Sequence, residues 1–504
     1  MAGQHRPPCP RDRGTARRDH PAVRKDLAGV LEEHHAVAEQ APALLRMAGD
    51  DLRGVAVSRV GGGTFGLVRA HRGFPGLSTV SRRDTNTTVN GPPSPGGASA
   101  ARDHGALRHS VHDCGTEVRP VDGFFGFRGK NFHYRDAISC RQWRLGDPPD
   151  PLTGACDFLR EQGFAVDDLS IPGHPDRLAV VLVGAAAAAA ALGAPVGART
   201  PVPAVPDVLV AIYPRTPDTS PTHHPRHPGP VRVGQWQQSW TDAEHAAAVT
   251  AVRAAISRGD VYQVNVVGHR TADYHGDIGA VLAAVTGLPG ARYAGSFRGD
   301  GWAVATASPE SLLTVHHGVV RTRPIKGTRP ATEPGRRELL ADPKERAEHV
   351  MIVDLVRNDL GRIATPGTVR VETLFVPREW CGLWQAESAV SARLRPDTGL
   401  ADLFRAVLPA GSVTGAPKTA ALTQISALEP VGRGPAMGAF GVMTAGRTDL
   451  GLTIRTLAAD SDTLHLWTGG GITWGSDPDR EVAEAHAKAA PLLSAVNQAS
   501  TATT

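Results

Sequence analysis

Residues 241–493 mix helix-like and strand-like segments in an irregular order, and this mixture limits the fold more than any other feature of the chain. Residues 241–257 have a helical pattern that ends at Gly259, and residues 344–360 have a second one that ends near Gly361. Strand-like runs are predicted at 262–267, 301–305, 312–315, 440–443, 452–457 and 464–468. Because helices and strands do not alternate one for one, and no dinucleotide fingerprint or phosphate loop is present, the pattern predicts an α+β fold.

The N-terminal part of the chain has a different composition. Arg, Pro, Gly and Ser dominate it, aromatic residues are scarce, and only residues 30–47 show a helical period. We therefore expect residues 1–115 to be a basic, low-complexity region that is largely disordered or irregular. Residues 116–235 are expected to hold a reduced N-terminal part of the fold and a linker, residues 236–496 the main domain, and residues 497–504 a tail.

Charge and cysteine content argue against several classes of protein. The net charge is +4 over 504 residues, and the seven Lys/Arg and three Asp of the first thirty residues account for it. That segment has no aromatic residue, so we expect no nucleic-acid partner. The N-terminus also lacks the apolar core of a secretory signal. Five cysteines without a disulfide or zinc spacing favour a reducing, cytoplasmic location.

One uncharged stretch, residues 178–198, is long enough to cross a bilayer. Its centre is an alanine run at 185–191, and alanine gains little in lipid although it is the best helix former. We therefore predict a short strand, LAVVLVG, followed by a buried or surface helix, and no membrane span.

Lys326 lies in the segment RTRPIKGTRP, between Pro324 and Gly327. Proline fixes its own backbone angle and glycine permits a turn, so the pattern predicts a lysine presented by a loop rather than packed in a core. Burial or a neighbouring cation, Arg323 or Arg329, would lower its pKa and make its amine nucleophilic. Taken alone, the pattern is more typical of a solvated loop lysine.

Two helical segments carry carboxylates on one face. Glu345 and Glu348 are three residues apart, and Glu481, Glu484 and Lys488 are spaced by three and four. Each set alone is typical of a solvated helix face. Two such helices facing each other would form an oxygen-lined Mg²⁺ site with room for water and a substrate carboxylate.

Three other features favour binding of a small polyanion. Glu310 follows a predicted strand and a proline in ASPES, where it could project into a cleft as a general acid. The glycines at 469–471, just before the second acidic helix, let backbone amides approach an anion. Arg455, on a predicted strand, offers a planar fork suited to a carboxylate.

These segments resemble the chorismate-utilising enzymes, the family of anthranilate, aminodeoxychorismate, isochorismate and salicylate synthases. The matching segments are GDVYQVN at 259–265, SPE at 308–310, RPIKGTRP at 323–330, ERAEHVMIVDLVRNDLGRI at 345–363, PAGSVTGAPK at 409–418, GAFG at 438–441, IRT at 454–456 and GGGITWGSDPDREVAEAHAKA at 469–489. They follow the family's order, with weaker similarity at 206–213. The resemblance implies an anthranilate synthase component I-like fold, with layered antiparallel sheets flanked by helices and a chorismate-binding catalytic domain.

Two positions distinguish the members of the family. Members that add water carry a lysine base where this chain has Gln263, and anthranilate synthases have a small residue where Lys326 stands. The chain thus resembles the aminodeoxychorismate synthases (component I), which form 4-amino-4-deoxychorismate from chorismate and ammonia for p-aminobenzoate and folate or a specialised pathway. Anthranilate formation and a non-catalytic chorismate-binding role stay open as alternatives.

The resemblance also implies roles for individual residues. Lys326 would add to the chorismate ring as the 4-hydroxyl leaves, and Glu310 would protonate that leaving group. Glu348 and Glu484 would bind Mg²⁺, with Glu481 close by. The substrate would be held by Arg455, Lys488, Thr414, Gln263 and the amides of Gly470 and Gly471. No glutaminase segment is visible, so a separate glutamine amidotransferase subunit is expected to supply ammonia.

Two positions depart from the family's pattern. Gln385 stands where a histidine is usual, and Ala436 replaces the tyrosine of the RGPY segment. These changes remove an acid or orienting side chain and a hydroxyl contact to the substrate, but they leave the lysine and the acidic residues in place.

Overall fold

The computed structural model describes residues 128–171, 173–215 and 228–501. The predicted irregular region at 1–115 and its helix at 30–47 lie outside these residues. The α-helices are α1 (Pro151–Glu161), α2 (Ala185–Ala190), α3 (Asp242–Ser257), α4 (Ile278–Thr286), α5 (Glu333–Ala341), α6 (Pro343–Gly361), α7 (Leu400–Val407), α8 (Lys418–Leu428) and α9 (Pro478–Thr501). Single 3-10 turns cover Tyr134–Asp136 and Gly411–Val413.

The strands of the first half are β1 (Arg128–His133), β2 (Ser139–Trp143), β3 (Arg177–Val183), β4 (Val208–Pro214), β5 (Val231–Val233), β6 (Gln237–Gln238), β7 (Gln263–Gly276), β8 (Tyr293–Arg298), β9 (Ala303–Ser308) and β10 (Ser311–His316). Those of the second half are β11 (Val319–Arg323), β12 (Ile325–Pro330), β13 (Arg370–Trp380), β14 (Leu383–Arg393), β15 (Gly415–Ala416), β16 (Ala439–Thr444), β17 (Arg447–Leu452), β18 (Thr456–Ala459) and β19 (Thr463–Ile472).

The strands form two large sheets. A nine-stranded sheet has the order β1-β8-β9-β18-β19-β7-β15, with β5 and β6 also paired to β7. A ten-stranded sheet has the order β12-β14-β11-β10-β17-β16-β3-β4-β2, with β13 also paired to β14. Within the described ranges every pairing is antiparallel except that of β1 with β8. The predicted α+β fold with layered antiparallel sheets is therefore confirmed.

The largest hydrophobic core joins the two sheets. Phe297 and Trp467 of the nine-stranded sheet belong to the same buried cluster as Val181 and Phe440 of the ten-stranded sheet. Helix α6 packs against β12 and β14, whereas α9 packs against β19, α3 and α4. Each acidic helix is thus attached to a different sheet.

The alanine-rich stretch forms the predicted strand and helix. Strand β3 is an apolar run whose last five residues are fully buried between β4 and β16, as expected for a strand inside a sheet. Helix α2 follows it after Gly184. None of the helices in the described ranges is long and apolar enough to cross a membrane.

Helix α3 begins with a reciprocal cap. The Thr241 hydroxyl accepts a hydrogen bond from the Glu244 amide at 3.2 Å, and the Glu244 carboxylate accepts one from the Thr241 amide at 2.6 Å. We expect Thr241→Ala to lower the free energy of unfolding by about 1 kcal/mol, since an amide at the helix start loses its partner. Urea denaturation measures this loss. Thr250→Ala, in the exposed middle of the same helix, is the control and should not destabilise the protein.

Two connections between the sheets run side by side. The chain leaves β9 through Glu310 to reach β10 in the other sheet, and it returns from β17 through residues 453–455 to β18. The Ala307 amide donates a hydrogen bond to the Arg455 carbonyl oxygen at 3.0 Å. The Leu452 amide donates one to the Glu310 carbonyl oxygen at 3.1 Å. Glu310 and Arg455 therefore lie together where the two sheets meet.

Candidate active site

A cavity of about 90 Å³ lies at this junction. Both sheets, both connections and the two acidic helices contribute to its wall. The sequence-predicted residues that line it are Lys326, Glu310, Arg455, Lys488, Gly471, Glu348, Glu481 and Glu484. The structure therefore brings together most of the residues that the sequence identified.

Lys326 lies in β12, so the prediction that it occupies a loop is wrong. It pairs with Ala386 of β14 and is half-buried, and its amine points at Gly471 of β19 in the other sheet. Gly327, with φ +72°, interrupts the pairing with β14 immediately afterwards. The expected turn at the glycine is thus a local irregularity of a strand.

Burial lowers the pKa of the Lys326 amine, and the neighbouring cation that lowers it further is Lys488. The carboxylates of Glu348, Glu310 and Glu484 act in the opposite direction. The expectation that Arg323 or Arg329 supplies the cation is therefore wrong. Arg323 instead lies 3.6 Å from the buried Glu387 carboxylate. Arg329 is bound to the carboxylates of Asp342 and Glu345, at 2.6 and 3.0 Å.

Gly471 leaves the space that the Lys326 amine occupies. A methyl group at this position would collide with Lys326 Nζ and would lie 3.0 Å from Gln263 Nε2. We expect Gly471→Ala to lower kcat by about 10²-fold, because the amine must move away from its present place. Steady-state kinetics with chorismate measure this. Gly361→Ala is the control, because an added methyl group there meets no atom within 4 Å. Equal rates for both variants would contradict the role of the Lys326 amine.

Glu310 is buried beside the amine. Its carboxylate accepts a hydrogen bond of 2.6 Å from the Ser412 hydroxyl. Burial raises the pKa of Glu310 to about 7, although the Ser412 hydroxyl and Lys326 act to lower it. A carboxyl group with such a pKa can give and take a proton near neutral pH.

The acidic helices face each other across the cavity. Lys344 of α6 lies 3.4 Å from the Glu348 carboxylate and 3.8 Å from that of Glu481 on α9. The Thr473 hydroxyl, just before α9, donates a hydrogen bond of 2.6 Å to Glu348. Lys488 lies 2.5 Å from the Glu484 carboxylate. Glutamates from both helices thus reach one small volume.

Proximity changes the ionisation of these carboxylates. Burial, followed by the charge of Glu484, raises the pKa of both Glu345 and Glu481. Burial alone would also raise the pKa of Glu484, but Lys488 reverses the effect and holds it below its ordinary value. Clustered carboxylates that repel one another provide oxygen donors of the kind that Mg²⁺ takes.

The residues fit a magnesium ion that takes part of its coordination from elsewhere. Within the described ranges, no three His, Cys, Asp or Glu side chains converge on one point. Mg²⁺ commonly binds one or two protein carboxylates and completes its octahedron with water and substrate oxygens. Two glutamates on facing helices meet that need.

Arg455 does not lie on a strand, so the predicted strand at 452–457 is wrong. β17 ends at Leu452 and β18 begins at Thr456, and Arg455 between them has φ +51°. Its guanidinium lies 4.4 Å from the Trp380 ring and donates a hydrogen bond of 2.6 Å to the Lys488 carbonyl oxygen. Burial lowers the pKa of Arg455 to about 10, which leaves it cationic at neutral pH.

The glycine run also differs from its prediction. Gly469, Gly470 and Gly471 form part of β19, where they pair with β7, and residues 473–477 separate them from α9. A methyl group at Gly470 would lie 3.1 Å from Glu481 Oε2 and 3.6 Å from Lys488 Nζ. Small residues are therefore needed so that the strand can pass close to the charged groups.

Three predicted substrate-binding residues do not line the cavity, namely Gly470, Thr414 and Gln263. Thr414 is buried, and its hydroxyl donates a hydrogen bond of 2.8 Å to the Ala410 carbonyl oxygen. Gln263 is fully buried behind Gly471, and its amide has no hydrogen-bond partner among the described residues. A buried amide without a hydrogen-bond partner costs free energy. The Gln263 amide would therefore gain from a hydrogen bond to a bound molecule or to a reoriented side chain.

Sequence reasoning missed three polar residues near the amine. Ser412 binds Glu310, and it stands within the matched segment PAGSVTGAPK. His349 directly follows Glu348, and burial, followed by Lys326, lowers its pKa to about 4. Its ring lies 2.6 Å from the Ser388 hydroxyl. Lys344 sits one residue before a predicted acidic residue, so the helical pattern contained a signal for it.

The two departures from the family's pattern are both buried. Ala436 is 1% exposed and adjoins Met437, which lines the cavity. Gln385 lies in β14, one residue before the partner of Lys326, and its side-chain oxygen has no hydrogen-bond partner in the described part of the chain.

Comparison with known proteins identifies the class to which this fold and cavity belong. Residues 203–494, more than half of the chain, match the family described as chorismate binding enzyme. The chain belongs to this family.

Two curated relatives carry different activities in their names. Aminodeoxychorismate synthase component 1 of Klebsiella aerogenes is 38% identical over 265 residues, which is 51% of this chain and 59% of the relative. Anthranilate synthase component 1 of Streptomyces coelicolor is 38% identical over 277 residues, 53% of this chain and 54% of the relative. The match thus spans little more than half the length of each relative.

Solved structures agree with the fold. Anthranilate synthase component I from Streptococcus pneumoniae has a TM-score of 0.58 at 25% identity, covering 71% of this chain and 90% of that one. The menaquinone-specific isochorismate synthase of Escherichia coli has a TM-score of 0.54 at 18% identity, covering 71% and 84%. The second likeness concerns the fold alone.

Proposed function

We propose that this chain is an aminodeoxychorismate synthase component I, which converts chorismate and ammonia to 4-amino-4-deoxychorismate. The observation that carries the proposal is the placement of the Lys326 amine and the Glu310 carboxyl in one cavity, with the pKa of each shifted toward neutrality. An amine with a lowered pKa supplies a nucleophile, and a carboxyl group with a raised pKa supplies an acid.

In the first step the neutral amine of Lys326 bonds to the chorismate ring as the bond to the 4-hydroxyl breaks. Glu310 gives its proton to the departing oxygen, which leaves as water. The products are a secondary ammonium adduct and the Glu310 carboxylate. The Ser412 hydroxyl, 2.6 Å from Glu310, stabilises that carboxylate.

In the second step ammonia bonds to the ring at C4, and the bond to Lys326 breaks. The lysine leaves as the neutral amine, ready for another cycle. The new ammonium group returns one proton to the Glu310 carboxylate, which restores the acid. The net change is replacement of a hydroxyl group by an amino group with release of water.

The cations of the cavity suit a substrate with two carboxylates. Arg455 is held by Trp380 and the Lys488 carbonyl oxygen, so its guanidinium is fixed before any substrate arrives. The Lys488 ammonium is placed by Glu484 and by the Gly469 carbonyl oxygen, 2.9 Å away. Gln263 offers an amide but no base, which disfavours activation of water at that position.

Magnesium is the second part of the proposal. Glu348 and Glu484 would hold it, with Glu481 nearby, and its charge would offset the repulsion among the carboxylates. When bound, the ion would neutralise a substrate carboxylate and fix its orientation.

A glutamine amidotransferase subunit is the proposed source of ammonia. The resemblance to component I enzymes supports this, since the name of the Klebsiella relative denotes one component of a larger enzyme. The product would enter p-aminobenzoate and folate synthesis or a specialised aminobenzoate pathway.

Anthranilate formation is the second candidate, because the Streptomyces anthranilate synthase has the same sequence identity to this chain, 38%, as the Klebsiella relative. The two activities are separated by incubating the protein with chorismate, ammonium and Mg²⁺, with and without aminodeoxychorismate lyase. We expect p-aminobenzoate only when the lyase is present. Anthranilate fluorescence without the lyase would reject our choice, and chorismate binding without any product would favour a non-catalytic role.

A further inference from the structure

Lys344 makes an unusual pair of contacts at the edge of the cavity. Its ammonium lies 3.4 Å from the Glu348 carboxylate, one turn along its own helix, and 3.8 Å from the Glu481 carboxylate on the facing helix. The lysine side chain is 41% exposed, whereas those of Glu348 and Glu481 are 11% and 8% exposed. A single, partly exposed cation thus bridges two carboxylates that are largely buried.

The other two glutamates have cations that are anchored elsewhere. Arg329, which binds Glu345, also binds Asp342 at 2.6 Å. Lys488, which binds Glu484, also donates to the Gly469 carbonyl oxygen. In the described part of the chain, the ammonium of Lys344 has ionic contacts only to Glu348 and Glu481. It is therefore the cation of this group that can leave most easily.

A divalent cation needs the same carboxylate oxygens. When it approaches Glu348 from the proposed site while Lys344 contacts Glu348 and the neighbouring Glu481, two cations compete for the same negative charge. A half-exposed ammonium is weakly held, since water and salt screen the attraction, and its long stem lets it turn to solvent. A buried, doubly charged ion is screened less.

We propose that Lys344 is a built-in competitor of the divalent cation. Its ammonium neutralises Glu348 and Glu481 when no metal is bound, and it swings toward solvent when the metal binds Glu348 and Glu484 beside Glu481. The inference rests on the metal site of the proposed function but not on the identity of the reaction product. It predicts that the protein trades metal affinity for stability of its metal-free form.

The first test is Mg²⁺ binding to the full chain, measured by isothermal titration calorimetry without chorismate. Lys344→Met keeps the apolar stem that packs at Gly475 and removes the charge. We expect it to lower the Kd for Mg²⁺ by about three- to tenfold. Lys344→Arg keeps the charge and should bind as the wild type does. Arg346→Met removes an exposed charge from the same helix and should have little effect.

Thermal unfolding separates competition from simple repulsion. Without metal, Lys344→Met should unfold at a lower temperature than the wild type, because two buried carboxylates lose their counter-ion. With saturating Mg²⁺ this deficit should disappear. A deficit that persists in Mg²⁺ would overturn the inference, since Lys344 would then stay on the carboxylates in the metal-bound protein.

The wild-type protein gives a direct readout that needs no variant. Reductive methylation followed by peptide mass spectrometry reports how accessible each lysine is. We expect Mg²⁺ to increase modification of Lys344, with Lys130, in β1 away from the cavity, as the internal reference. Unchanged modification combined with measurable Mg²⁺ binding would overturn the role of Lys344 alone. No Mg²⁺ binding by any variant would overturn both this inference and the proposed metal site.

Discussion

Replacing Lys326 by alanine is expected to lower the rate of aminodeoxychorismate formation by about 10³-fold or more, the scale on which loss of a reacting nucleophile acts. The variant loses the amine that lies beside Gly471 and whose pKa is lowered by burial and by Lys488. Chorismate, ammonium and Mg²⁺ with excess lyase give the rate as p-aminobenzoate. Mass spectrometry of protein quenched with chorismate in the absence of ammonia should find an adduct on Lys326 in the wild type only.

Lys326→Arg is the matched control. It keeps a positive charge near the carboxylates of Glu348 and Glu484. The affinity for chorismate should therefore fall less than the turnover rate. Both variants should be inactive while retaining the wild-type circular dichroism spectrum. Ammonia-dependent product from Lys326→Ala at a rate near that of the wild type would show that the amine forms no bond to the substrate.

Glu310→Gln is expected to lower kcat by about 10²- to 10⁴-fold, the usual range for losing a general acid. The amide keeps the size of the side chain and can still contact Ser412, but it has no proton to give to the leaving hydroxyl. A rapid assay of chorismate consumption measures the loss. A variant that retains more than a tenth of the wild-type kcat would remove Glu310 from the mechanism.

The pH profile tests the same assignment in the wild type. Because the pKa of Glu310 is raised to about 7, the protonated acid is depleted above neutral pH and the rate should fall there. Ser412→Ala removes a hydrogen bond that favours the carboxylate, so its alkaline limb should move to higher pH. An identical alkaline limb in both proteins would mean that another group controls it.

The pH dependence of protein stability should also report the raised pKa of Glu310. The folded-state pKa of about 7 lies above the ordinary value of 4.5, so Glu310 favours folding below pH 4.5 and this contribution is lost as the pH rises through 7. The Tm of Glu310→Gln minus the Tm of the wild type should therefore be larger at pH 8 than at pH 5. This comparison also confirms that the inactive variant is folded.

Much of the fold and of the site could be predicted because the relevant signals are local. The helical periods predicted α3 and α6, and the apolar run before the alanines predicted β3. The spacing of Glu481, Glu484 and Lys488 placed them on one helix face, and all three line the cavity. Proline before Lys326 and glycine after it marked an irregular backbone.

The remainder depends on contacts between distant segments, which spacing alone does not reveal. Arg455 looked like a strand residue because apolar neighbours surround it, yet the chain must turn there to change sheets, and it does so with a positive φ. The cation that lowers the pKa of Lys326 comes from α9 and not from the adjacent arginines, since Arg323 and Arg329 are taken by acidic partners. The roles of Ser412 and Lys344 likewise exist only after folding.

The side-by-side connections that carry Glu310 and Arg455 have a mechanical consequence. Backbone hydrogen bonds join the two connections to each other. The nine-stranded and ten-stranded sheets are held together mainly by side-chain packing. Lys326 belongs to one layer and Gly471 to the other. A slip of the layers by a fraction of an ångström would separate the reacting groups while every strand kept its own partners, so catalysis should fail on warming before the protein melts.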